Sequence, residues 1–553
     1  MADSVTPVDL AAVRQLVTTL DALVAEALQV ARRRTDAGKG IDEAQVQCER
    51  LAYAATEVAA AKDLLAYAQS AAAHGHRDAV VDEMAAVFAA EVAHRLRSQV
   101  DAHAGEFGLS DELLNKTIGT DSVKSMMRSG LSDARVQAIG RQVIQRRGVN
   151  HCWMAEDMAV MSRDSVRQFA ETEVIPIAER MHRHDELIPE ELIGKMAELG
   201  YFGMSVPEEF GGGGMGNLVM IITTEELSRG SLAGAGSLIT RPEILTKALL
   251  KGGTEAQKRS WLPRIASGEV MVGISVTEPD VGSDVASVKC RADAGEVGGR
   301  KGYVINGAKA WCTFAGRANV LVLLARTDPD FKKGARGLSL LIVEKDAFTG
   351  HSFEMRQPTG GLLVGKADAT PGYRGMHSYT LSFDNYFVPA ENLVGEAGGV
   401  GKGFYLQMGG FAAGRLQTGG RATGLAQAAL ERTAEYANER TQFGEPIGNF
   451  QLTQYKLGRM ATHLMAARQL TYAAARAMDA DESIALEPAM AKLFASDVAV
   501  WITQEGQLLH GGWGYADEFP ISRYVVDALV LPIFEGVKPI LELKVIARNL
   551  LAA

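Results

Sequence analysis

The hydrophobic pattern of this 553-residue chain changes its period twice, and this change constrains the fold more than any other feature. Up to about residue 269, and again from about residue 398, apolar residues recur every three or four positions, as on one face of a helix. Between residues 270 and 397 short β-rich runs replace this pattern. The order helices, sheet, helices predicts an α+β protein that is mostly α, and it disfavours the alternating βαβ units of a Rossmann fold.

Breaks in the pattern divide the chain into four predicted domains. Several domains are expected, because single hydrophobic cores stop growing at roughly 250–300 residues. The predicted domains are an alanine-rich N-terminal helical module at 1–150, a helical domain at 151–269, a sheet domain at 270–397 and a helical domain at 398–553. We refer to residues 1–150 as the N-terminal module throughout.

Local structure is predicted most directly in the first helix and in one turn. The buried face of the first helix is expected to consist of Val13, Leu16, Val17, Leu20, Leu23, Val24 and Leu28. In the sheet domain, Asn306 and Gly307 separate two β-rich runs. They predict a two-residue hairpin, because a type I′ turn needs positive φ at both positions.

Composition excludes several classes of protein. Lys and Arg number 57 against 67 Asp and Glu, and a net charge of −10 argues against a nucleic-acid partner. The cysteines Cys48, Cys152, Cys290 and Cys312 show neither disulfide nor metal spacing. The beginning of the chain lacks the features of a signal peptide, and no stretch reaches the roughly 18 apolar residues of a membrane span. We therefore expect a soluble, cytoplasmic protein with no membrane partner.

Histidines are concentrated in the N-terminal module, at positions 74, 76, 94 and 103. We expect solvated surface histidines there and predict no metal site.

Five short motifs carry the chemistry of the chain. They are VTEPDVGSD at 276–284, WCTF at 311–314, RTQFGEPIGNFQ at 440–451, QLLHGGWGY at 507–515 and LPIFEG at 531–536. Taken singly, each has an ordinary interpretation: the first is a loop, the tryptophan a core aromatic and the arginine of the third a surface charge. Their order and spacing together are specific.

In this order the motifs resemble those of the acyl-CoA dehydrogenase family, over about 400 residues from Met154 to the end. The resemblance implies a helical domain, a β-barrel-like middle domain and a C-terminal four-helix bundle, here with an extra N-terminal helical module. It further implies that FAD lies between the middle and C-terminal domains and is contacted by a neighbouring subunit. A homo-oligomer, either a dimer or a tetramer, is therefore expected, with an acyl-CoA substrate and electron-transferring flavoprotein as partners.

The resemblance also assigns cofactor contacts. Trp311 is expected to pack on the isoalloxazine ring, Thr313 to hydrogen-bond at its reactive edge, and Arg440 to reach the pyrophosphate from the neighbouring subunit, where a guanidinium fork suits phosphate oxygens. The other predicted cofactor contacts are Val276, Thr277, Ser283, Cys312, Phe443, Gln451, Gln507, Gly511, Gly512 and Val537. The family usually has Thr or Ser where Val537 and Lys538 stand, which puts a flavin-ribose contact in doubt.

Glu535 is the predicted catalytic base. It is a carboxylate within an apolar run, and the resemblance implies that it removes the α-proton of the thioester while FAD takes the β-hydrogen as hydride. Hydrogen bonds from the Glu535 backbone N–H and a flavin ribityl hydroxyl would stabilise the charge on the thioester oxygen. The product is a trans-enoyl-CoA. For an isolated glutamate, a helix N-cap would be the alternative interpretation.

The resemblance further suggests a short branched acyl-CoA that carries a free carboxylate. Such a group needs a cation in the pocket, because a buried unpaired carboxylate is costly. Arg241, in the apolar run GSLITRPEIL, is the predicted anchor. The other predicted substrate contacts are Ser283, for the phosphopantetheine, Arg415 and Gly536.

A long loop is predicted at residues 356–379. Its Lys366, Arg374 and His377 either face a charged acyl end or lie in solvent.

Three alternatives to this function stay open at the level of sequence. The first is a dehydrogenase of monocarboxylic straight or branched acyl chains. The second is a non-catalytic relative that binds nucleic acid, against which the acidic balance and Glu535 both argue. The third is an oxidase that passes electrons to oxygen.

Overall fold

The computed structural model describes residues 7–149, 152–481 and 483–552. The chain forms two compact units. We call Met1–Met161 together with Thr418–Ala553 the helical unit, and Ser162–Gln417 the sheet unit. The boundary predicted between residues 150 and 151 falls outside the described residues, and the four predicted domain ranges stay predictions.

Helices make up most of the chain, as the periodicity predicts. In chain order they are α1 (Leu10–Arg34), α2 (Gln45–Ala73), α3 (Ala79–Phe107), α4 (Asp111–Lys116), α5 (Asp121–Gly130), α6 (Asp133–Gln145), α7 (Asp157–Phe169), α8 (Ile175–Arg183), α9 (Glu190–Glu198), α10 (Asn217–Gly230), α11 (Arg241–Gly252), α12 (Glu255–Ala266), α13 (Gly403–Glu439), α14 (Gln451–Ala480), α15 (Leu486–His510), α16 (Ile521–Ala528), α17 (Lys538–Ile540) and α18 (Arg548–Ala552).

The predicted face of α1 is confirmed. Six of its seven apolar residues are buried, and the seventh, Leu28, is partly buried. The helix begins where Asp9 accepts a hydrogen bond from the Ala11 backbone N–H, because a side-chain oxygen at this position satisfies one of the unpaired N–H groups of the first turn.

Within the helical unit, α6 crosses α14 at a pair of glycines. A Cβ atom on Gly140 would lie 1.7 Å from the backbone oxygen of Gln454, and one on Gly458 would lie 2.1 Å from that of Val136. The two backbones approach each other too closely for any side chain. The N-terminal module therefore packs on the C-terminal helices through main-chain contact at this point.

Replacing Gly140 with Ala should destabilise this contact by about 1–3 kcal/mol, the usual cost of adding a methyl group to a filled core. The midpoint of thermal unfolding should fall accordingly. Gly194 in α9 is the matched control, because no atom lies within 4 Å of a Cβ placed there. Gly194→Ala should be neutral or stabilising, as expected for a helix interior. An unchanged midpoint for Gly140→Ala would refute the tight crossing.

One mixed sheet forms the centre of the sheet unit. Its strands are β1 (Val272–Ser275), β2 (Arg291–Val297), β3 (Arg300–Thr313), β4 (Val320–Arg326), β5 (Leu338–Glu344), β6 (Ser352–Arg356), β7 (Leu362–Ala367) and β8 (Ser378–Pro389). The order is β1-β4-β2-β3-β8-β7-β6, with β5 paired to β4; β4 is parallel to β1 and β2, and the other pairs are antiparallel. A short hairpin, β9 (Thr441–Gln442) and β10 (Glu445–Pro446), belongs to the helical unit.

Helices α11 and α12 cover one face of this sheet. Leu245 and Leu262 are fully buried in one cluster with Val272, Val322 and Leu340 of β1, β4 and β5. Each fully buried aliphatic side chain of this kind contributes about 1.5–3 kcal/mol. The cluster fixes the sheet against the helix that begins at Arg241.

The predicted hairpin at Asn306 and Gly307 is wrong. Strand β3 runs straight through both residues, and Gly307 only marks a register shift against β8. The two-residue turn lies between β2 and β3 at Gly298 and Gly299, whose φ values of 59° and 80° meet the same requirement for positive φ. Both dipeptides satisfy the local rule, so local sequence does not distinguish between them.

The predicted long loop at 356–379 also needs correction, because β7 lies inside it and pairs with both β6 and β8. Two glycines precede its short apolar run, and this obscured the strand signal in the sequence. No helix in the described part of the chain is long and apolar enough to cross a membrane.

Candidate active site

The sheet unit presents Trp311 at an irregularity in β3. The register between β3 and β8 shifts between Lys309 and Cys312, and Trp311 takes a φ of 58°. Its side chain is 60% exposed. An exposed indole held in a strained backbone is typical of a binding surface, so the interpretation of Trp311 as a core aromatic is wrong.

A buried ion pair fixes the neighbouring loop to the same strand. Lys309 is fully buried, and its Nζ donates to the backbone oxygen of Val276, at 2.8 Å, and to Glu278 Oε1, at 3.0 Å. The Ala310 N–H donates to the Thr277 oxygen at 2.8 Å. The loop 276–284 is thereby held beside Trp311. Lys309 was not among the residues predicted from the sequence, although its position within an apolar strand run indicates a buried lysine.

The predicted residues of this loop differ in exposure. Val276 is buried, Thr277 is partly buried and Ser283 is exposed. Cys312 is buried, and burial raises the pKa of its thiol to about 12. A raised thiol pKa disfavours the reactive thiolate form of Cys312.

Thr313 lies at the end of β3 with its hydroxyl 3.1 Å from Ser378 Oγ. The next residue, Phe314, donates its N–H to the backbone oxygen of His377 at 2.8 Å. The WCTF motif is thus tied to the beginning of β8. Its two ends, Trp311 and Phe314, both have positive φ.

The polar residues of segment 356–379 are engaged within the sheet unit. His377 Nε2 lies 3.1 Å from Asp185 Oδ1, and Arg374 Nε lies 3.3 Å from the same oxygen. Burial lowers the pKa of His377. Lys366 is exposed on β7. These contacts favour a structural role for Arg374 and His377 over contact with an acyl chain.

The same carboxylate belongs to a group of metal-type ligands. Asp185, His351 and His377 are the group among the described residues that could hold an ion. The guanidinium of Arg374 already neutralises Asp185 there. The histidines of the N-terminal module, by contrast, are partly engaged elsewhere: the rings of His74 and His76 stack on Trp153.

Arg241 begins α11 and is only 4% exposed. Its Nε donates to the backbone oxygen of Ser237 and its Nη2 to Thr240 Oγ1, both at 3.2 Å. Within the described residues no carboxylate pairs with it. A guanidinium buried without a counter-charge is costly. Arg415 is also buried.

The helical unit carries the remaining motifs. Phe443 and Gly444 form the turn between β9 and β10, with φ values of 54° and 88°. Phe443 is 96% exposed. A phenylalanine whose ring is almost wholly exposed in a turn with positive φ is unusual for a single chain.

Arg440 and the glycines of the fourth motif line one surface depression, together with Trp513. No atom lies within 4 Å of a Cβ placed on Gly511 or Gly512, and Gly511 has a φ of 62°. Bare backbone at this position can approach a ligand closely. Gln507 supports the turn, since its Nε2 donates to the Gly514 oxygen at 3.0 Å. Gln451 is exposed at the first position of α14.

Glu535 lies in a bend between α16 and α17, with a φ of 54°. It is not a helix cap, because Val537 is the N-cap of α17. Its side chain is partly exposed. The buried Lys492 restrains this bend, because its Nζ donates a hydrogen bond to the backbone oxygen of Gly536.

Family models match most of the chain. The acyl-CoA dehydrogenase N-terminal domain matches residues 156–269, the middle domain matches 273–386, and the C-terminal domain matches two segments, 10–144 and 401–551. The chain belongs to the acyl-CoA dehydrogenase family. It is a flavin-dependent oxidoreductase of acyl-CoA. Sequence analysis identified this family but missed that the N-terminal module is itself similar to the C-terminal domain.

Three similar proteins are compared with this chain by sequence identity and coverage. The (2S)-methylsuccinyl-CoA dehydrogenase of Cereibacter sphaeroides is 43% identical over 78% of this chain and 77% of its own. A chain from the structure described as the electron transferring flavoprotein of Acidaminococcus fermentans is 31% identical, with a TM-score of 0.63 over 70% of this chain and 97% of that one. Glutaryl-CoA dehydrogenase of Mycobacterium smegmatis in complex with FADH2 is 26% identical, with a TM-score of 0.60 over 69% of this chain and 92% of that one.

Proposed function

We propose that this acyl-CoA dehydrogenase oxidises (2S)-methylsuccinyl-CoA to mesaconyl-CoA. The observation that carries the proposal is the buried guanidinium of Arg241, which has no carboxylate partner among the described residues. The free carboxylate of a dicarboxylyl-CoA would supply that partner. The 43% identical relative, which acts on methylsuccinyl-CoA, supports this choice of substrate.

FAD is the proposed cofactor. The residues present fit it: an exposed indole at Trp311 suits a planar ring, and the depression lined by Arg440 and the bare backbone of Gly511 and Gly512 suits a pyrophosphate and its nucleotide. The similar structure that contains FADH2 supports the assignment. When bound, FAD accepts the β-hydrogen of the substrate as hydride.

The chain's own residues perform the proton chemistry and the positioning. Glu535 takes the α-proton as general base, and its backbone N–H donates to the thioester oxygen on which negative charge develops. Thr313 hydrogen-bonds at the reactive edge of the cofactor. Ser283 contacts the phosphopantetheine, while Arg415 and the backbone of Gly536 complete the contacts to the acyl end.

The other proposed cofactor contacts follow the motifs. Val276, Thr277 and Cys312 support the ring side within the sheet unit. Gln451, Gln507 and Phe443 support the nucleotide side within the helical unit. Val537 brings no hydrogen-bonding side chain to the ribose, so we assign it a packing contact only.

Arg440→Met should weaken FAD retention by about tenfold or more, because a charge-assisted hydrogen bond to phosphate is worth about 1.5–3 kcal/mol. The ratio of flavin absorbance to protein absorbance after dialysis measures this. Arg476→Met, at an exposed arginine of α14 that pairs with Glu156, is the control and should keep its flavin. Full flavin content in Arg440→Met would remove this residue from the FAD site.

Electron-transferring flavoprotein is the proposed acceptor, with support from the family and from the similar chain described under that name. A homo-oligomer is proposed because Phe443 and Arg440 are both exposed beside a cofactor motif. A second copy that covers Phe443 would explain its exposure in the single chain.

A substrate panel tests the proposed function. Methylsuccinyl-CoA, glutaryl-CoA, isovaleryl-CoA and butyryl-CoA are compared by kcat/KM with an artificial dye as acceptor. Methylsuccinyl-CoA should give the highest value. The highest value for an uncharged chain would favour the monocarboxylic alternative and overturn the proposed substrate.

A further inference from the structure

The N-terminal module lies against the part of the chain that follows Glu535. The segment 538–552 packs along α2 and α1. Lys544 pairs with Asp42, and the Arg32 guanidinium donates to the backbone oxygen of Ala552 at 3.5 Å. A Cβ on Gly38 would lie 3.5 Å from that of Leu551. The module therefore packs on the helices that directly follow the bend containing Glu535.

A polar triad connects this module to the start of α17, directly after the bend that contains Glu535. The Tyr53 hydroxyl of α2 donates to Asp497 Oδ2 of α15 at 2.9 Å, and Lys538 Nζ donates to the same oxygen at 2.6 Å. The Lys538 ammonium also lies 4.9 Å from the centre of the Tyr53 ring, within reach of a cation–π contact. One carboxylate oxygen is thus shared by Tyr53 of the N-terminal module and Lys538, the first residue of α17.

Lys538 stands three residues after Glu535. Its backbone N–H donates to the Pro532 oxygen at 2.9 Å and closes the turn that contains Glu535. Lys492 holds the Gly536 carbonyl from the other side. Glu535 and Gly536 have φ values of 54° and 100°, a conformation that a non-glycine residue keeps only when its surroundings restrain it. The side chain of Lys538 is a second restraint beside Lys492.

The charges around Lys538 favour a fixed position for its ammonium group. Asp497, 24% exposed at its side chain, contacts the Lys538 ammonium, and Glu542, whose pKa is raised to about 7 by burial, lies 3.9 Å from it. The Lys538 side chain keeps 36% of its surface exposed, so its ammonium contacts both Asp497 and solvent. The Val537 side chain cannot form a hydrogen bond. Lys538, the next residue, therefore provides the side-chain contact that restrains the bend.

We propose that Tyr53 and Lys538 are positioning residues, through which the N-terminal module holds Glu535 in its reactive conformation. The inference rests on the proposed role of Glu535 as the base. The N-terminal module thereby contributes to the rate of the reaction. A displacement of about 1 Å in the bend that contains Glu535 lowers the rate of flavin reduction, while substrate and flavin still bind.

The test uses the full-length holoenzyme and the variants Tyr53→Phe, Lys538→Met and the double variant. Rapid mixing with methylsuccinyl-CoA gives the rate of flavin reduction separately from substrate affinity. Each single variant should slow reduction by about tenfold, with flavin content and substrate affinity near those of the parent. The double variant should be no slower than Lys538→Met, because both side chains act through one oxygen of Asp497.

Lys62→Met is the matched control, since Lys62 of the same helix forms an exposed ion pair with Asp21. It should reduce flavin at the parent rate. Glu535→Gln, measured in parallel, separates the two proposals. If Glu535→Gln is inactive while Tyr53→Phe and Lys538→Met reduce flavin at the parent rate, the positioning role alone is overturned. If Glu535→Gln reduces flavin at the parent rate, the base assignment fails and this inference fails with it.

Discussion

Replacing Glu535 with Gln should slow flavin reduction by methylsuccinyl-CoA by about 10²–10⁴-fold, the range expected when a general base is removed. Gln keeps the size and the backbone N–H of the residue, so binding of the thioester carbonyl should persist. Only the acceptor for the α-proton is lost. Anaerobic rapid mixing, followed at the flavin band, measures the rate of the chemical step directly.

Glu518→Gln is the control for this experiment, because Glu518 is an exposed glutamate of the same unit that no motif includes. It should reduce flavin at the parent rate. Exchange of the substrate α-proton with deuterated solvent gives a second readout. If Glu535→Gln still exchanges that proton as fast as the parent does, another residue is the base.

Arg241→Gln should lower kcat/KM for methylsuccinyl-CoA by about 30- to 5,000-fold. Removal of one partner from a buried charge pair costs about 2–5 kcal/mol, and each 1.36 kcal/mol corresponds to a factor of ten. The amide can still donate to a carboxylate, but it brings no charge. For isovaleryl-CoA, which has no carboxylate, kcat/KM should stay the same or rise, because a buried unpaired cation has been removed.

The change in the ratio of the two kcat/KM values is the decisive quantity, since it cancels any general loss of folding or flavin. Arg259→Gln, at an exposed position of α12, should leave the ratio unchanged. Arg241→Lys keeps the charge and should recover part of the preference. An unchanged ratio in Arg241→Gln would show that the substrate carboxylate lies elsewhere.

Sequence alone could identify the family and the residues of the motifs, because both depend on short ordered strings. Trp311, Phe443 and Glu535 were found in this way, and the structure adds that all three have positive φ. Backbone strain at these positions cannot be predicted from the sequence, because it depends on the tertiary contacts that restrain each residue. The register shift in β3 and the Lys492 contact are such causes.

The position of the hairpin turn and the polar contacts of α2 could not be predicted. Two dipeptides have the same local preference for the turn, and the contacts join residues far apart in the chain. Asn306 and Gly307 have the dipeptide preferred in hairpins, yet Gly298 and Gly299 form the turn. The hydrogen bond from Tyr53 to Asp497 joins residues 444 positions apart. Hydrophobic periodicity predicts which face of a helix is buried. It does not predict which distant residue a polar side chain on that helix contacts.

The most direct measurement of the proposed function is an anaerobic titration of the purified holoenzyme with (2S)-methylsuccinyl-CoA, followed at the flavin absorbance band. The buried guanidinium of Arg241, which has no carboxylate partner among the described residues, and the proposed base Glu535 predict stoichiometric bleaching, with mesaconyl-CoA identified as the product by mass. A flavin that stays oxidised with methylsuccinyl-CoA, but is bleached by butyryl-CoA or isovaleryl-CoA, would contradict the account.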